Sequence, residues 1–140
     1  MARVHEVGTI ATSAVRVWDL IGDFHALPKW HPAIAKSTPE QRGDAQLRRL
    51  ELPDGAVILE RLEEKNDAER FYTYTIVESP LPIAQYRSTI HVRAAHDEPS
   101  CTVEWFGTFE VTGGAEEDAI NIVRGVYTAG LDNLRRIFGS

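Results

Sequence analysis

The sequence predicts an α+β fold, a curved antiparallel sheet of about seven strands wrapped around a long C-terminal helix, with two short helices after the first strand. Three observations carry that expectation. The stretch Glu116 to Phe138 has the apolar spacing of one long amphipathic helix. From Ala33 to Val111 helical periodicity is absent, and apolar and polar residues alternate between turn signals. At 1.5 Å per residue the helix is about 35 Å long, too long for a single neighbouring helix to cover, so a broad sheet must supply its bed.

On a helical projection Ala119, Ile120, Ile122, Val123, Val126, Tyr127, Gly130, Leu131, Leu134, Ile137 and Phe138 cover about half the circumference. Acidic Glu116, Glu117 and Asp118 open the first turn and Arg135 and Arg136 close the last, as the helix dipole favours. Gly113-Gly114 precede the helix and Gly139 follows it. Within the apolar face, Ala119 and Gly130 are small. A helical glycine costs roughly 1 kcal/mol relative to alanine. Gly130 therefore implies either close packing on the sheet or space left for a ligand between helix and sheet.

In chain order, Val4–Ile10 reads as the first strand, and Thr12 or Ser13 as the N-cap of a helix through Ile21, with Ala14, Val17, Trp18 and Ile21 on one face. Asp23 is the expected cap of a second short helix, limited by Pro28 and Pro32. Leu52-Pro53-Asp54-Gly55-Ala56 predicts a three-residue hairpin loop with Gly55 left-handed. That loop pairs Leu50 with Ile58 and Arg48 with Glu60. The inner face of the hairpin then carries Leu50, Leu52, Ile58 and Leu62 beside Arg48 and Glu60. Further strands are expected at Phe71–Glu78, Tyr86–Ala95 and Cys101–Val111, with connections at Lys65–Glu69, Ser79–Ile83 and His96–Ser100. Their inward sets are Tyr72/Tyr74/Ile76, Tyr86/Ser88/Ile90/Val92 and Val103/Trp105/Phe109.

Composition narrows the function. The 140 residues fit one domain, spanning 1–140, with 43% hydrophobic and 26% charged residues. A net charge of −6 argues against a nucleic-acid partner or an anionic membrane. The single cysteine, Cys101, allows no internal disulfide and fits a reducing cytoplasm. No signal-peptide run opens the sequence, and no stretch is apolar enough for membrane insertion. His5, His25, His31, His91 and His96 lack metal-ligand spacing, so no metal is expected, and the absence of a Gly-rich phosphate loop argues for no cofactor.

The predicted inner face is polar for a core. Lys36, Arg48, Glu60, Tyr72, Tyr74, Ser88 and Tyr127 can all point toward the helix. Arg48 and Glu60 admit two readings: a cross-strand pair at a wet sheet edge, or polar groups that orient a ligand in an apolar cavity. His31, within Trp30-His31-Pro32, is either a loop residue or part of the cavity mouth.

Val17-Trp18, Asp23-Phe24, Trp30-His31-Pro32, Arg48, Pro53-Asp54-Gly55, Leu59-Glu60-Arg61-Leu62, Tyr72-x-Tyr74, Ser79–Ile83 and Gly125–Leu131 together resemble the START-like SRPBCC superfamily. The likeness is greatest to the bacterial polyketide cyclase/dehydrase group. The resemblance implies the helix-grip fold with a hydrophobic cavity between helix and sheet. By similarity to plant abscisic-acid receptors, Lys36 corresponds to a lysine that meets a ligand carboxylate, and the Glu60 strand to one lining the pocket. Their two closing loops correspond to Pro53-Asp54-Gly55 and Ser79-Pro80-Leu81-Pro82. By similarity to lachrymatory-factor synthase, Arg48 and Glu60 correspond to a catalytic pair.

The sequence thus supports binding of a small hydrophobic molecule with one polar or anionic group, polyketide- or lipid-like. The ligand-contacting set is Lys36, Arg48, Glu60, Tyr74, Ser88, Trp105, Val123, Tyr127 and Gly130. The alternative is a cyclase, dehydratase or isomerase with Glu60 as general acid/base and Arg48 stabilising an oxyanion. A third reading is a protein-interaction or chaperone-cofactor role.

Overall fold

Seven antiparallel strands form one sheet in the order β1-β7-β6-β5-β4-β3-β2. In the computed structural model, which describes residues 1–96 and 99–139, β1 spans Ala2–Ile10, β2 Lys36–Arg42, β3 Ala45–Glu51 and β4 Val57–Asn66. Phe71–Glu78 forms β5, Ile83–Ala94 β6 and Cys101–Val111 β7. Helices α1 (Ala14–Ile21) and α2 (Leu27–Trp30) follow β1, and α3 (Glu116–Phe138) crosses the concave face. The expected α+β architecture is the one observed. The expected connection His96–Ser100 includes residues 97 and 98, which lie outside the described residues.

Local chemistry accounts for the boundaries. Ser13 caps α1 by accepting from the Arg16 amide, and Val17, Trp18 and Ile21 bury one face of the helix. The Pro-Asp-Gly hairpin forms as predicted: Gly55 has φ +89°, the Leu52 amide donates to the Ala56 carbonyl, and Arg48 pairs with Glu60. β2 is an edge strand, almost wholly exposed, and carries Pro39 and charges that discourage further strand pairing.

Several expectations are corrected. Asp23 does not cap α2. Its carboxylate accepts from the His25 amide in a turn, while Ala26 holds the N-cap position and Pro28 fits the first turn of the helix, where no amide is needed. β6 begins at Ile83 rather than Tyr86, because a bulge between Ala84 and Arg87, with Gln85 at φ +56°, lets the strand continue past an irregularity that breaks its alternation. The buried face of α3 is narrower than its apolar arc. Ala119, Val123, Tyr127, Gly130, Leu131 and Leu134 are buried, whereas Ile122 and Val126 are 43% and 37% exposed.

Gly130 is a packing residue. A Cβ there would stand 2.8 Å from Trp105 Cζ3, 2.9 Å from His31 Cδ2 and 3.0 Å from Trp30 Cζ3. These are three buried rings with little freedom to move. Asn133 Nδ2 donates to the Trp30 carbonyl at 2.8 Å nearby, so α2 and α3 are bound together around the glycine. Gly130 therefore holds aromatic rings against the helix and is not among the cavity-lining residues.

Gly130→Ala should destabilise the fold by about 1–2 kcal/mol, overpacking outweighing the better helix propensity of alanine. Gly125, on the same helix, is the control, because a Cβ there would meet nothing within 4 Å. Gly125→Ala should stabilise by about 0.5–1 kcal/mol. Chemical denaturation of both variants checks the pair, and equal effects of the same sign would contradict the packing assignment.

Candidate functional site

Arg48 and Glu60 meet on the concave face under Phe24, with residue exposures of 1% and 6%. Arg48 Nε donates to Glu60 Oε1 at 2.8 Å, and Nη2 lies 2.8 Å from the same oxygen. Nη1 donates to the Phe24 carbonyl at 2.8 Å and to the Tyr72 hydroxyl at 3.4 Å. The guanidinium carbon sits 4.1 Å from the Phe24 ring centroid and 4.9 Å from that of Tyr74, so aromatic rings also contact the cation. Arg48 thus ties the segment before α2 to the sheet. Glu60 Oε2 accepts no hydrogen bond from the described residues. Burial pushes the Glu60 carboxyl above its ordinary range, and Arg48 partly counters that rise.

Beside this pair lies a chain of hydroxyls. Tyr74 and Tyr86 are 3.3 Å apart, Tyr86 and Tyr127 2.6 Å, and Tyr127 and Ser88 2.8 Å. Ser88 donates to the Phe106 carbonyl at 3.1 Å. Trp105 Nε1 lies 3.2 Å from the Tyr74 hydroxyl and 3.1 Å from Ser88 Oγ, donating to both. The Trp105 and Tyr127 rings stack at 4.6 Å. Gly107 makes room for this network, since a Cβ there would lie against the Tyr127 hydroxyl. Burial raises the pKa values of Tyr74, Tyr86 and Tyr127, so all three remain neutral phenols near neutral pH.

His31 joins the loop after α2 to α3. Its Nε2 lies 2.7 Å from the Val126 carbonyl, which can only accept, so Nε2 carries the proton. Nδ1 accepts from the Ala33 amide at 3.1 Å, which fixes the neutral tautomer. Burial lowers the His31 pKa, the Val126 bond opposes that shift, and Arg48 adds to it.

Between these groups and the first half of α3 is a cavity with about 80 Å³ available to the centres of water-sized molecules. About 10–15 Å³ suffices for one water, so the space exceeds a water or two. The sheet walls include Leu50, Leu52, Ile58, Ile76 and Ile83, and Leu27 and Ile34 contribute from the other side. Ile122, Val123 and Val126 form the helix wall, and the partial exposure of Ile122 and Val126 marks the mouth. Leu81, in one of the loops predicted to close over the site, also lines it.

Of the predicted site residues, Arg48, Glu60, Tyr74, Trp105 and Val123 line the cavity. Ser88 and Tyr127 sit behind the wall and reach it through Tyr86 and Trp105. Lys36 is a correction. It pairs in register with Glu51, on the outer parity of β3, and its side chain is 69% exposed, 4.0 Å from the Glu51 carboxylate. Ser37, opposite Leu50, has the inner parity instead. Sequence reasoning did not assign Phe24, Tyr86 or the two-sided tether at His31. The Tyr86 alternation was visible in the sequence, but the carbonyl contacts were not. Among the described residues no group of three or more His, Cys, Asp or Glu side chains could hold a metal ion.

A cavity roofed by a long C-terminal helix on a seven-stranded antiparallel sheet defines the helix-grip class of the START-like SRPBCC superfamily. The chain belongs to the family described as polyketide cyclase/dehydrase and lipid transport, which it matches over residues 1–139. It is similar to the protein XoxI from Bacillus cereus, with 42% identity, 99% of this chain and 96% of that one covered, and a TM-score of 0.94. A Bacillus thuringiensis protein also shares 42% identity, with 99% and 100% coverage and a TM-score of 0.93. The Zhui aromatase/cyclase from a Streptomyces species shares the fold at 18% identity, with 97% and 95% coverage and a TM-score of 0.76. No protein of curated description matches the chain.

Two outcomes follow from the site. Arg48→Met or Glu60→Leu alone leaves a buried charge without its partner and should cost about 3–5 kcal/mol. The double variant should be more stable than either single one, because it removes both charges, and urea denaturation checks that order. For His31, the folded-state pKa is below the unfolded value of about 6.5, so the unfolded chain binds the extra proton first. Stability should be fully present above about pH 6.5 and fall as pH drops below it. His31→Asn should shallow that slope without abolishing it, since His25 is shifted in the same direction by burial.

Proposed function

We propose that the chain binds a small apolar molecule carrying a polar group, polyketide- or lipid-like, in the cavity between α3 and the sheet. The observation that carries this reading is an apolar-walled space whose polar end holds Glu60 Oε2 without a hydrogen bond from the described residues. Membership of a family described by polyketide chemistry and lipid transport supports it. The proposal places the protein in the cytoplasm, consistent with its single cysteine, and no helix among the described residues is long and apolar enough to cross a membrane.

The cyclase, dehydratase or isomerase reading draws on one observation, a buried carboxyl with raised pKa and an unengaged oxygen at the cavity. Against it stands the commitment of Arg48 Nε to Glu60 and Nη1 to Phe24 and Tyr72, which leaves only Nη2 for an oxyanion. A role in protein interaction or as a chaperone cofactor has no specific observation in its favour.

Native mass spectrometry of the purified protein should reveal a bound small molecule that denaturation releases. Ile58→Trp, which fills the cavity from the sheet side, should weaken its retention at least tenfold, about 1.4 kcal/mol, while far-UV circular dichroism stays unchanged. Retention by the filled variant would contradict the location. Incubation of the released molecule with excess protein should return it unchanged, and conversion would favour the enzyme reading.

A further inference from the structure

The polar groups around the cavity have a common polarity. Arg48 gives Nε to Glu60 and Nη1 to the Phe24 carbonyl and Tyr72, holds Nη2 2.8 Å from the same Glu60 oxygen, has the Phe24 and Tyr74 rings beside it, and is 1% exposed. His31 has both ring nitrogens engaged with backbone groups. The hydroxyl chain has a direction, because the Phe106 carbonyl at its far end can only accept. Ser88 gives its proton to that carbonyl, so Tyr127 donates to Ser88, Tyr86 to Tyr127 and Tyr74 to Tyr86. Trp105 Nε1 is occupied by Tyr74 and Ser88. The hydroxyl, indole and imidazole donors are thus taken up within the protein, Arg48 keeps only an N–H of Nη2 outside these bonds, and Glu60 Oε2 is left as an acceptor that takes none from the described residues.

We infer that the cavity selects a ligand bearing an uncharged hydroxyl, which donates to Glu60 Oε2, and discriminates against carboxylates. This inference rests on the ligand-binding reading above and specifies its chemistry. A ligand carboxylate would approach the Glu60 carboxylate in an apolar enclosure, without the Lys36 ammonium, which lies outside on Glu51. An ammonium group would add an unbalanced charge beside the neutral Arg48–Glu60 pair, again in an apolar site. A hydroxyl brings the missing proton and no charge. The inference differs from the sequence expectation, in which Lys36 allowed an anionic ligand.

Three one-ring probes of matched shape test it: 4-propylphenol, 4-propyltoluene and 4-propylbenzoate, titrated at pH 8 and followed by backbone amide NMR shifts at Val123 and by calorimetry. At that pH the phenol, with a pKa near that of tyrosine at about 10, is neutral, whereas the benzoate is ionised. The phenol should bind at least about tenfold more tightly than either of the others. In Glu60→Gln, where an amide can turn its NH₂ toward the cavity, the phenol-to-toluene ratio should fall below about threefold. Tightest binding by the benzoate would overturn the inference. Equal binding of phenol and toluene would overturn it while leaving a ligand cavity intact. Failure of all three to bind would overturn the inference and the ligand-binding reading together. The ranking on the unmodified protein decides the matter even if Glu60→Gln does not fold.

Discussion

The pairing of Arg48 with Glu60 across β3 and β4 puts an ion pair on the face of the sheet that an ordinary core would fill with aliphatic side chains. Removing two charges from water is costly, and attraction between them offsets that cost only when the remaining hydrogen-bonding groups are satisfied. Arg48 meets this condition with the Phe24 carbonyl, Tyr72 and the aromatic faces around it. Glu60 meets it with one oxygen only. That asymmetry shapes the site: the cation becomes a brace between the sheet and the segment before α2, and the carboxylate retains an accepting oxygen at the cavity.

The helix supplies the second constraint. Toward its middle, Gly130 admits Trp30, His31 and Trp105 to close contact, and Asn133 and the Val126 carbonyl bind the α2 region. Tyr127 adds a stacked ring and a hydroxyl joined to the sheet network. Nearer the N-terminus, Ile122 and Val126 remain partly exposed over aliphatic residues of the sheet and the Leu81 loop. Tight packing along one length of α3 therefore coexists with open space along another, and His31 touches both, since it lines the cavity and holds the helix.

What could be read from the sequence follows from which interactions are local. Pro53 and Gly55 specify the turn, the turn specifies the register, and the register brings Arg48 to Glu60, so this pair was legible from a few residues. The long helix was legible because its period persists for 23 residues. Lys36 was misplaced because β2 is exposed along both parities and carries no alternation of its own; only its pairing with β3 decides its face. The bulge at Gln85 lacks the glycine that would advertise a left-handed residue. The Phe24 carbonyl and the aromatic crowding at Gly130 depend on contacts between distant segments, and side-chain type alone says nothing of them.

In the proposed site Arg48 is a structural brace, and its partner carboxylate, rather than the guanidinium, meets the ligand. NMR of protein labelled with ¹⁵N-arginine, observing the Arg48 Nε–H with and without an apolar hydroxyl-bearing molecule in the cavity, distinguishes the two groups. Hydrogen exchange should be slow in both states and ligand should barely shift the resonance, because Glu60 Oε1 and the Phe24 carbonyl keep the guanidinium in place. Fast exchange in the free protein, or a large shift on binding with loss of the Glu60 contact, would show that Arg48 turns to the ligand and would contradict the role of brace.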